Sequence, residues 1–287
     1  MRIAILGSNG QLGQDLVPAL NSHQLFPLTR HDFDVTDYSR VRSKLLELKP
    51  DVVVNTTAYH RVDDCESQAD LAYSVNVLAV LNLVRIVNEL DATLVHISTD
   101  YVFDGKCRSP YTEESVALPL SIYGNSKLAG ELLVRTTARK HFVIRTCGLY
   151  GRAGSRGKGG NFVETMLAKA RNGDAIRVVS DQIATPTPTL ELARQMAPLI
   201  TTDQFGLYHA TSEGGCSWYE FAAAIFEIAG VQANLSPTTS SQYKTPATRP
   251  PYSVLENARL KTLGLNRMRH WRDALSEYLH AKTNAAG

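Results

Sequence analysis

The chain has 287 residues, enough for one large domain or two modest ones with a buried core. Hydrophobic residues make up 44% of it and charged residues 20%, the composition of an ordinary soluble globular protein. The formal net charge of +2 gives no electrostatic reason to expect nucleic acid or an anionic membrane as the main partner.

The first half of the chain alternates short apolar runs with amphipathic segments, about every twenty to thirty residues. The predicted strands are 2–6, 25–29, 51–55, 92–98 and 141–146, with Pro27 weakening the second or placing it near an edge. The predicted helices are 11–21, 35–49, 70–90 and a segment that opens at "SIYGNSK". The alternation is typical of parallel crossover units and predicts an α/β fold, a Rossmann-type doubly wound parallel sheet with helices on both faces.

The regular alternation of predicted strands and helices changes after Thr146. The glycine-rich, basic segment 148–162 predicts a mobile loop. The later predicted elements are a helix at 162–172, a strand at 175–180, a Pro/Thr cluster at 181–189, a helix ending near 199, a strand at 205–210, and helices at 216–230 and 271–281. We therefore expect a NAD(P)-binding domain at 1–150 and a smaller α/β, mainly substrate-binding domain at 151–287, whose segments interleave with the first.

Export and membrane insertion are not predicted. The opening "MRIAILGSNG" has too short an apolar run for a signal peptide. The longest mainly apolar stretch, 73–87, is interrupted by asparagine and arginine, and we expect it not to span a bilayer. The four cysteines are far apart without C-x-x-C spacing, which argues against a metal knuckle or a disulfide framework. These features predict a soluble cytoplasmic protein with isolated thiols.

A glycine turn follows the first strand in "GSNGQLG". Gly7, Gly10 and Gly13 would let the backbone approach a phosphate at a helix N-terminus. The G-x-x-G-x-x-G spacing is one residue wider than the dinucleotide fingerprint, and glycine turns of this kind are common. Its position at the first crossover of an α/β chain nevertheless favours cofactor binding.

Two further strand ends bear on the cofactor. After the second strand Arg30 comes first and acids later, which favours the 2′-phosphate of NADPH; a solvated loop arginine and NADH are the alternatives. After the third strand, the small residues Thr56, Thr57 and Ala58 would let a flat ring lie against the backbone. His60 is interpreted as a loop histidine near the site.

The strongest catalytic pattern combines "HISTDYVFDG" with "SIYGNSKLAGE". Thr99 ends a central strand, where it could equally be a turn or cap residue. Tyr123 follows twenty-four positions later, with Lys127 one helical turn beyond it on the same face. Hydride transfer to a carbonyl requires such a set: tyrosine as proton donor, lysine to lower the pKa of the phenol and hold the ribose, and threonine to orient the carbonyl oxygen.

These motifs resemble those of a known family. "STDYVFDG", "YGNSKLAGE", "RTCGLYG", "GGNFVETML", "DQIATPTPT" and "RPPYSVLENARLKTLG" occur in the order found in the dTDP-4-dehydrorhamnose reductase family, within the extended short-chain dehydrogenase/reductase superfamily. The resemblance runs from about residue 1 to 280. It implies an NAD(P)H-dependent oxidoreductase of dTDP-rhamnose biosynthesis, which reduces the 4-keto group of dTDP-6-deoxy-L-lyxo-4-hexulose to give dTDP-L-rhamnose.

The resemblance also implies functional residues. The expected catalytic residues are Thr99, Tyr123 and Lys127. The expected cofactor-binding residues are Gly7, Asn9, Gly10, Gln11, Leu12, Arg30, Asp34, Val35, Thr57, Ala58, Tyr59, Tyr123 and Lys127. The expected substrate-binding residues are Thr99, Asp100, Tyr123, Gly148, Asn161 and Arg249.

One departure from the family concerns the sugar. Members usually carry a tryptophan after "RTS", whereas this chain has Cys147 and Gly148 there, which removes an aromatic platform for the sugar. Some members bridge subunits through Mg²⁺, but Asp15 alone does not make a site, so no metal is assigned. A homodimer is an expectation of the resemblance only.

Two alternative functions stay open. A nucleotide-sugar epimerase or dehydratase would share the fold and hold NAD tightly through an acid at the position of Arg30. A non-catalytic regulatory subunit, resembling the beta subunit of methionine adenosyltransferase, would keep the cofactor site and bind a partner enzyme. The intact catalytic trio argues against the second alternative.

Overall fold

The computed structural model describes residues 1–153 and 160–283. Its strands are β1 (Arg2–Leu6), β2 (Gln24–Leu28), β3 (Val52–Asn55), β4 (Thr93–Thr99), β5 (His141–Thr146), β6 (Leu149–Tyr150), β7 (Ala175–Val179), β8 (Ile183–Ala184), β9 (Thr187–Pro188), β10 (Gly206–His209), β11 (Cys216–Ser217) and β12 (Asn234–Thr238). Its α-helices are α1 (Gln11–Ala19), α2 (Tyr38–Leu48), α3 (Val62–Ser67), α4 (Ala69–Tyr73), α5 (Ala79–Leu90), α6 (Ile122–Thr137), α7 (Phe162–Arg171), α8 (Thr189–Leu199), α9 (Trp218–Ala229), α10 (Ala258–Thr262) and α11 (Trp271–Thr283). A π-helical turn (Ser74–Leu78) joins α4 to α5, and a 3-10 turn (Asp100–Val102) follows β4.

The large sheet is parallel throughout, with strand order β2-β1-β3-β4-β5-β10. The chain moves outward from β1 to β2 and then returns to the other side of β1 at β3. Such a switch point opens a crevice at the carboxyl ends of the strands, where doubly wound sheets bind ligands. The predicted fold class is confirmed, and β2 with Pro27 lies at the sheet edge.

Side chains on the two faces of the sheet enter two separate cores. Ile3 and Ile5 of β1 pack with apolar residues of α1 and α8 on one face. Ala4 and Leu6 pack with those of α2 and α5 on the other. Because both faces are covered, a central strand such as β3 is buried along its whole length.

The helical run from Ala69 to Leu90 is the longest apolar helix among the described residues. It has 22 residues and a mean hydropathy of 1.5, so length and composition alone would allow it to cross a membrane. The run exceeds the apolar stretch 73–87 that the sequence singled out. Its residues Val80, Leu83 and Val84 are buried against the sheet, which accounts for the composition of a core helix.

The second half of the chain builds a smaller lobe and also returns to the large sheet. A separate core joins α7, α9 and α11 to the parallel pair β7–β12. In contrast, β10 pairs with β5, and α8 packs on α1. Residues 189–209 therefore complete the large sheet.

The predicted elements are found, with ends that differ by up to about three residues. The short elements α3, α10, β6, β8, β9 and β11 were not predicted, and neither were β12 and the π and 3-10 turns. β6 lies within the segment 148–162 that was predicted to be a mobile loop, and it is a strand because it pairs with β9. β12 has the polar sequence "NLSPT" and is a strand because it pairs with β7. α10 has only five residues, too few for a periodic pattern. Residues 154–159 of the predicted mobile loop lie outside the described residues.

Candidate active site

The turn between β1 and α1 brings backbone atoms unusually close together. Gly7 has a φ of +79°, in the left-handed region that favours glycine. A β-carbon at Gly13 would stand 2.4 Å from the carbonyl oxygen of Gly7, so a larger residue would push α1 away from β1. At the start of α1, Gly10 provides no side-chain cap, and the first turn holds no acidic residue. The helix N-terminus is therefore open to an anion, which fits the phosphates of a dinucleotide.

A cavity of about 590 Å³ lies at the carboxyl ends of β1, β3, β4 and β5. The predicted site residues that line it are Asn9, Gly10, Gln11, Leu12, Thr57, Ala58, Thr99, Asp100, Tyr123, Lys127, Gly148 and Asn161. The predicted site residues outside its lining are Gly7, Arg30, Asp34, Val35, Tyr59 and Arg249. The phosphate-loop residues and the catalytic trio thus share one cavity.

Helix α6 brings Tyr123 and Lys127 to Thr99. The Ser121 hydroxyl caps the helix by accepting a hydrogen bond from the Gly124 N–H at 3.2 Å. A β-carbon at Gly124 would stand 2.3 Å from the carbonyl oxygen of Tyr101, so glycine lets the first turn of α6 pack directly on the turn after β4. This contact sets the tyrosine beside the end of β4.

Burial dominates the acidity of Tyr123. It raises the pKa of the phenol above its ordinary value, while a hydrogen bond with the Thr99 side chain opposes the rise and the Asp100 charge adds to it. The loss of hydration outweighs the opposing effects in this structure, and the lowering expected from Lys127 stays a prediction. The phenol is consequently protonated at neutral pH, which is the form that can donate.

Lys127 is almost fully buried behind Tyr123. Its Nζ donates to the carbonyl oxygen of Ile97 at 2.6 Å and lies 3.5 Å from Nε2 of His96. Burial lowers the pKa of Lys127 from 10.5 to about 8, with the Glu131 charge opposing the fall. Burial also lowers the pKa of His96, so its imidazole is neutral. The hydrogen bond to Ile97 therefore fixes the amino group of Lys127 at the cavity wall.

A buried ion pair supports this end of α6. Arg145 of β5 donates to both carboxylate oxygens of Glu131, at 2.6 and 2.9 Å, and both side chains are almost inaccessible. Ser98, which lines the cavity, donates to the same carboxylate at 3.0 Å. The pair connects β4, β5 and α6 directly behind the catalytic residues.

Asp100 is a buried carboxyl group on the cavity wall. It accepts hydrogen bonds from the Thr99 hydroxyl at 3.0 Å and from Sγ of Cys147 at 3.1 Å. Burial raises the pKa of Asp100, while hydrogen bonds from Ser253, Cys147 and Thr99 oppose the rise. The pKa of the Cys147 thiol is raised as well, chiefly by burial, so this cysteine is a poor nucleophile. Ser253 lies in the motif "RPPYSVLENARLKTLG", but it was assigned no role from the sequence.

Gly148 has a φ of +55° and lies beneath an aromatic ring. That ring belongs to Trp218, the first residue of α9, which also lines the cavity. Sequence reasoning interpreted Trp218 only as part of a helix. The departure at Cys147 and Gly148 stands, and the ring beside Gly148 comes from a residue seventy positions away.

Four predicted cofactor-binding residues lie outside the cavity lining, namely Arg30, Asp34, Val35 and Tyr59. Arg30 and Asp34 form an exposed ion pair of 2.8 Å, and the arginine side chain is 86% exposed. Val35 packs against the core on that face of the sheet. The Tyr59 N–H donates to the Asn76 side chain at 2.9 Å, which fixes the loop after β3. The guanidinium is exposed, and a phosphate that bound it would compete with Asp34.

Two predicted substrate residues have partners within the protein. Arg249 donates to Asp63 at 2.9 Å, and the guanidinium is not part of the cavity lining. Asn161 caps α7 by accepting from the Glu164 N–H at 3.0 Å, and its amide donates to the carbonyl oxygen of Gly151 at 2.8 Å. A role in binding diphosphate would require Arg249 to exchange its partner and Asn161 to share its bonds.

Acidic and other ligating side chains do not gather around a metal position. Across residues 1–153 and 160–283, His, Cys, Asp and Glu form no group of three or more that could hold an ion. Asp15 accepts a hydrogen bond of 2.5 Å from the Thr189 hydroxyl, and burial raises the pKa of its carboxyl. Its main partner in the described structure is thus Thr189.

Comparisons with known proteins agree with the geometry. Among curated relatives, the spore coat polysaccharide biosynthesis protein SpsK of Bacillus subtilis is 40% identical over 286 residues, with 99% of each chain covered. A dTDP-4-dehydrorhamnose reductase of Streptomyces griseus is 38% identical, with 100% of this chain and 95% of the relative covered. A dTDP-4-keto-6-deoxy-D-glucose reductase of Streptomyces niveus is 35% identical, with 96% of each chain covered.

Solved structures with this fold include a dTDP-4-dehydrorhamnose reductase of Clostridium acetobutylicum, with a TM-score of 0.94 at 39% identity, covering 99% of this chain and 100% of the other. That of Bacillus anthracis, in complex with NADP, has a TM-score of 0.93 at 36% identity, with 98% and 99% covered. The UDP-glucose 4-epimerase of Thermus thermophilus is 19% identical and shares the fold alone. The profile of the RmlD substrate binding domain matches residues 1–284, and the chain belongs to this family.

Proposed function

We propose that this protein is an NADPH-dependent reductase of a nucleotide-linked 4-keto-6-deoxyhexose, with dTDP-4-dehydrorhamnose as substrate and dTDP-L-rhamnose as product. The observation that carries the proposal is the convergence of Thr99, Tyr123 and Lys127 in the cavity whose other end is the glycine turn after β1. Relatives named as reductases of dTDP-linked keto sugars, at 35 to 38% identity over nearly the whole chain, support the substrate class.

The cofactor is NADPH, in agreement with the NADP complex of the Bacillus anthracis relative. The residues that would hold its phosphates are those of the turn from Asn9 to Leu12, where the backbone is open and the helix end is positive. The exposed Arg30 would meet the 2′-phosphate. Thr57 and Ala58 would lie beside the nicotinamide half. When bound, NADPH supplies the hydride for the carbonyl carbon.

Tyr123 supplies the proton. As the hydride adds to C4 of the sugar, the electron pair of the C=O bond moves to oxygen, which takes the phenolic proton, so that ketone, hydride and proton give a secondary alcohol. Thr99 turns its hydroxyl from Asp100 to the carbonyl oxygen and orients it. Lys127 stabilises the phenolate that forms, and holds the ribose hydroxyls.

The proposed division of labour follows the two lobes. Residues 1–150 would bind the cofactor, and segments from 151 to 287, among them those around Asn161 and Arg249, would close over the nucleotide sugar. We propose a cytoplasmic location, which fits four cysteines that are all free. The expectation of a homodimer stays a prediction.

Turnover is the direct test. The purified protein should consume NADPH with dTDP-4-dehydrorhamnose, and product identification should give dTDP-L-rhamnose. NADPH binding without turnover on several 4-keto-6-deoxy nucleotide sugars would favour a regulatory subunit instead. Tightly bound NAD⁺ in the purified protein would favour an epimerase or dehydratase.

Replacement of the proton donor tests the mechanism. Tyr123→Phe should lower kcat about 10²- to 10⁴-fold, the usual contribution of a general acid, while NADPH affinity is retained. Tyr243→Phe is the matched control, because Tyr243 is an exposed tyrosine outside the cavity. An unaffected rate in Tyr123→Phe would remove this residue from its role.

A further inference from the structure

The side of the cavity formed by the smaller lobe carries an indole ring. Trp218 packs against Phe162, with ring centroids 4.9 Å apart, and against Phe221 at 6.1 Å. These contacts fix the ring from the side of the smaller lobe's core. The side chain is only partly buried and lines the cavity, so part of its surface faces the space that a ligand would fill.

The far edge of the Trp218 ring lies beside Gly148, near the part of the cavity wall formed by Thr99 and Asp100. A β-carbon at Gly148 would lie 3.4 Å from Cη2 of Trp218, so this edge of the indole stands next to Gly148. The preceding residue, Cys147, binds Asp100 through its thiol, and Asp100 follows Thr99 directly. The indole therefore stands beside the wall that orients the carbonyl.

A side chain larger than a methyl group at position 148 would press on the ring, because a β-carbon there would already be in ordinary contact with Cη2 of Trp218. A side chain there would also press on Pro186, whose Cα would be 3.1 Å from the added carbon, and the left-handed backbone disfavours any other residue. The other tryptophan of the chain, Trp271, is only 7% exposed within the core of the smaller lobe. Trp218 differs from it in facing the cavity.

We propose that the hexose of the nucleotide sugar stacks on the indole of Trp218 while its carbonyl points to Thr99 and Tyr123. A 6-deoxyhexose presents apolar C–H groups and a methyl group, which suit a flat aromatic surface. The nucleobase is separated from the hexose by a diphosphate and so lies further from the trio. The inference rests on the proposed function and adds the residue that holds the sugar.

Fluorescence can report the stacking directly, because the chain has two tryptophans. In Trp271→Phe, Trp218 is the remaining tryptophan. Adding dTDP-L-rhamnose to this variant in the presence of NADP⁺ should change its emission, whereas dTDP, which lacks the hexose, should bind without the same change. Calorimetry verifies that both ligands bind. An equal response to dTDP, or no response to the bound sugar nucleotide, overturns the proposal.

Kinetics give a second measurement in the wild-type background. Trp218→Ala should raise KM for the sugar nucleotide about tenfold or more, as hot-spot aromatic residues do, with NADPH affinity unchanged. Trp218→Phe, which keeps a ring, should recover most of this loss. Tyr219→Ala is the matched control, because it removes an aromatic side chain from the same helical turn outside the cavity lining.

The outcomes separate this inference from the function on which it rests. A folded Trp218→Ala variant with wild-type KM refutes the sugar platform and leaves the reductase intact. A wild-type protein without turnover refutes the proposed reductase, and the fluorescence comparison then still shows whether a hexose meets the ring. Thermal unfolding and NADPH affinity show whether Trp218→Ala is folded. If it is not, KM for the sugar nucleotide is compared between Trp218→Phe and the wild type instead.

Discussion

The buried ammonium group of Lys127 should lower the free energy of unfolding of the protein. Replacing Lys127 by methionine measures by how much. Burial lowers the pKa of this lysine from 10.5 to about 8. A fall of this size favours the neutral amine in the folded protein by about 3 kcal/mol. Methionine has a similar length and no charge, so it removes the cost. It also leaves the carbonyl oxygen of Ile97 without its donor, which costs about 1–3 kcal/mol.

The pH dependence of the free energy of unfolding separates the effect of the lysine charge from the effect of the lost hydrogen bond. Below pH 8 the folded protein carries the ammonium, and the destabilisation is fully present. As the pH rises from 8 towards 10.5, the unfolded chain still binds the proton that the folded protein has lost, so the wild type gains stability. Between about pH 7 and 9.5, its free energy of unfolding should rise by about 2 kcal/mol relative to Lys127→Met.

Urea unfolding of both proteins without cofactor, at a series of pH values, measures this difference. Lys169→Met provides the control, since Lys169 is exposed on α7 and its replacement should leave the pH dependence of the wild type unchanged. Parallel curves for the wild type and Lys127→Met would refute a lowered pKa at Lys127. The same variant should lose most turnover, because the phenolate and the ribose both lose their cation.

Two further replacements test the surroundings of the site. Arg145→Met removes the buried cation beside Glu131, which keeps only the half-exposed Arg135 at 3.2 Å and the Ser98 hydroxyl, and should cost up to about 3–5 kcal/mol in urea unfolding. Arg42→Met, in an exposed pair with Glu89, should cost much less, and equal losses would contradict the burial argument. Gly13→Ala puts a methyl group 2.4 Å from the Gly7 carbonyl oxygen and should weaken NADPH binding in calorimetry by about tenfold or more, and unchanged affinity would show that this turn does not hold the cofactor.

Local patterns were sufficient for most of the fold. The buried strands and amphipathic helices of the large sheet follow from apolar periodicity, because strands covered on both faces need continuous apolar runs. β12 escaped prediction because its polar sequence is a strand only through pairing with β7. The π-helical turn at Ser74–Leu78 escaped it as well. There the Asn76 side chain points inward to bind Tyr59 and Ser126, a contact that helical periodicity does not encode.

The motif residues of the candidate site could be predicted from the sequence, whereas the effect of burial on their pKa values could not. Spacing along one helix correctly puts Tyr123 and Lys127 on a common face, and both line the cavity. The spacing of residues along a helix does not reveal, however, how deeply their side chains are buried. Burial raises the pKa of Tyr123, opposite to the effect expected from a neighbouring cation.

The sequence by itself determined the α/β class, the glycine turn, the catalytic trio and the resemblance to a reductase family. Each of these follows from residue types, their spacing and their order along the chain. Only the tertiary structure decided which distant residues share the cavity. It brings Trp218 over Gly148, Cys147 to Asp100, and Arg249 to Asp63. The two hydrogen bonds join residues 47 and 186 positions apart, and all three contacts depend on strand pairing and tertiary packing rather than on any local spacing.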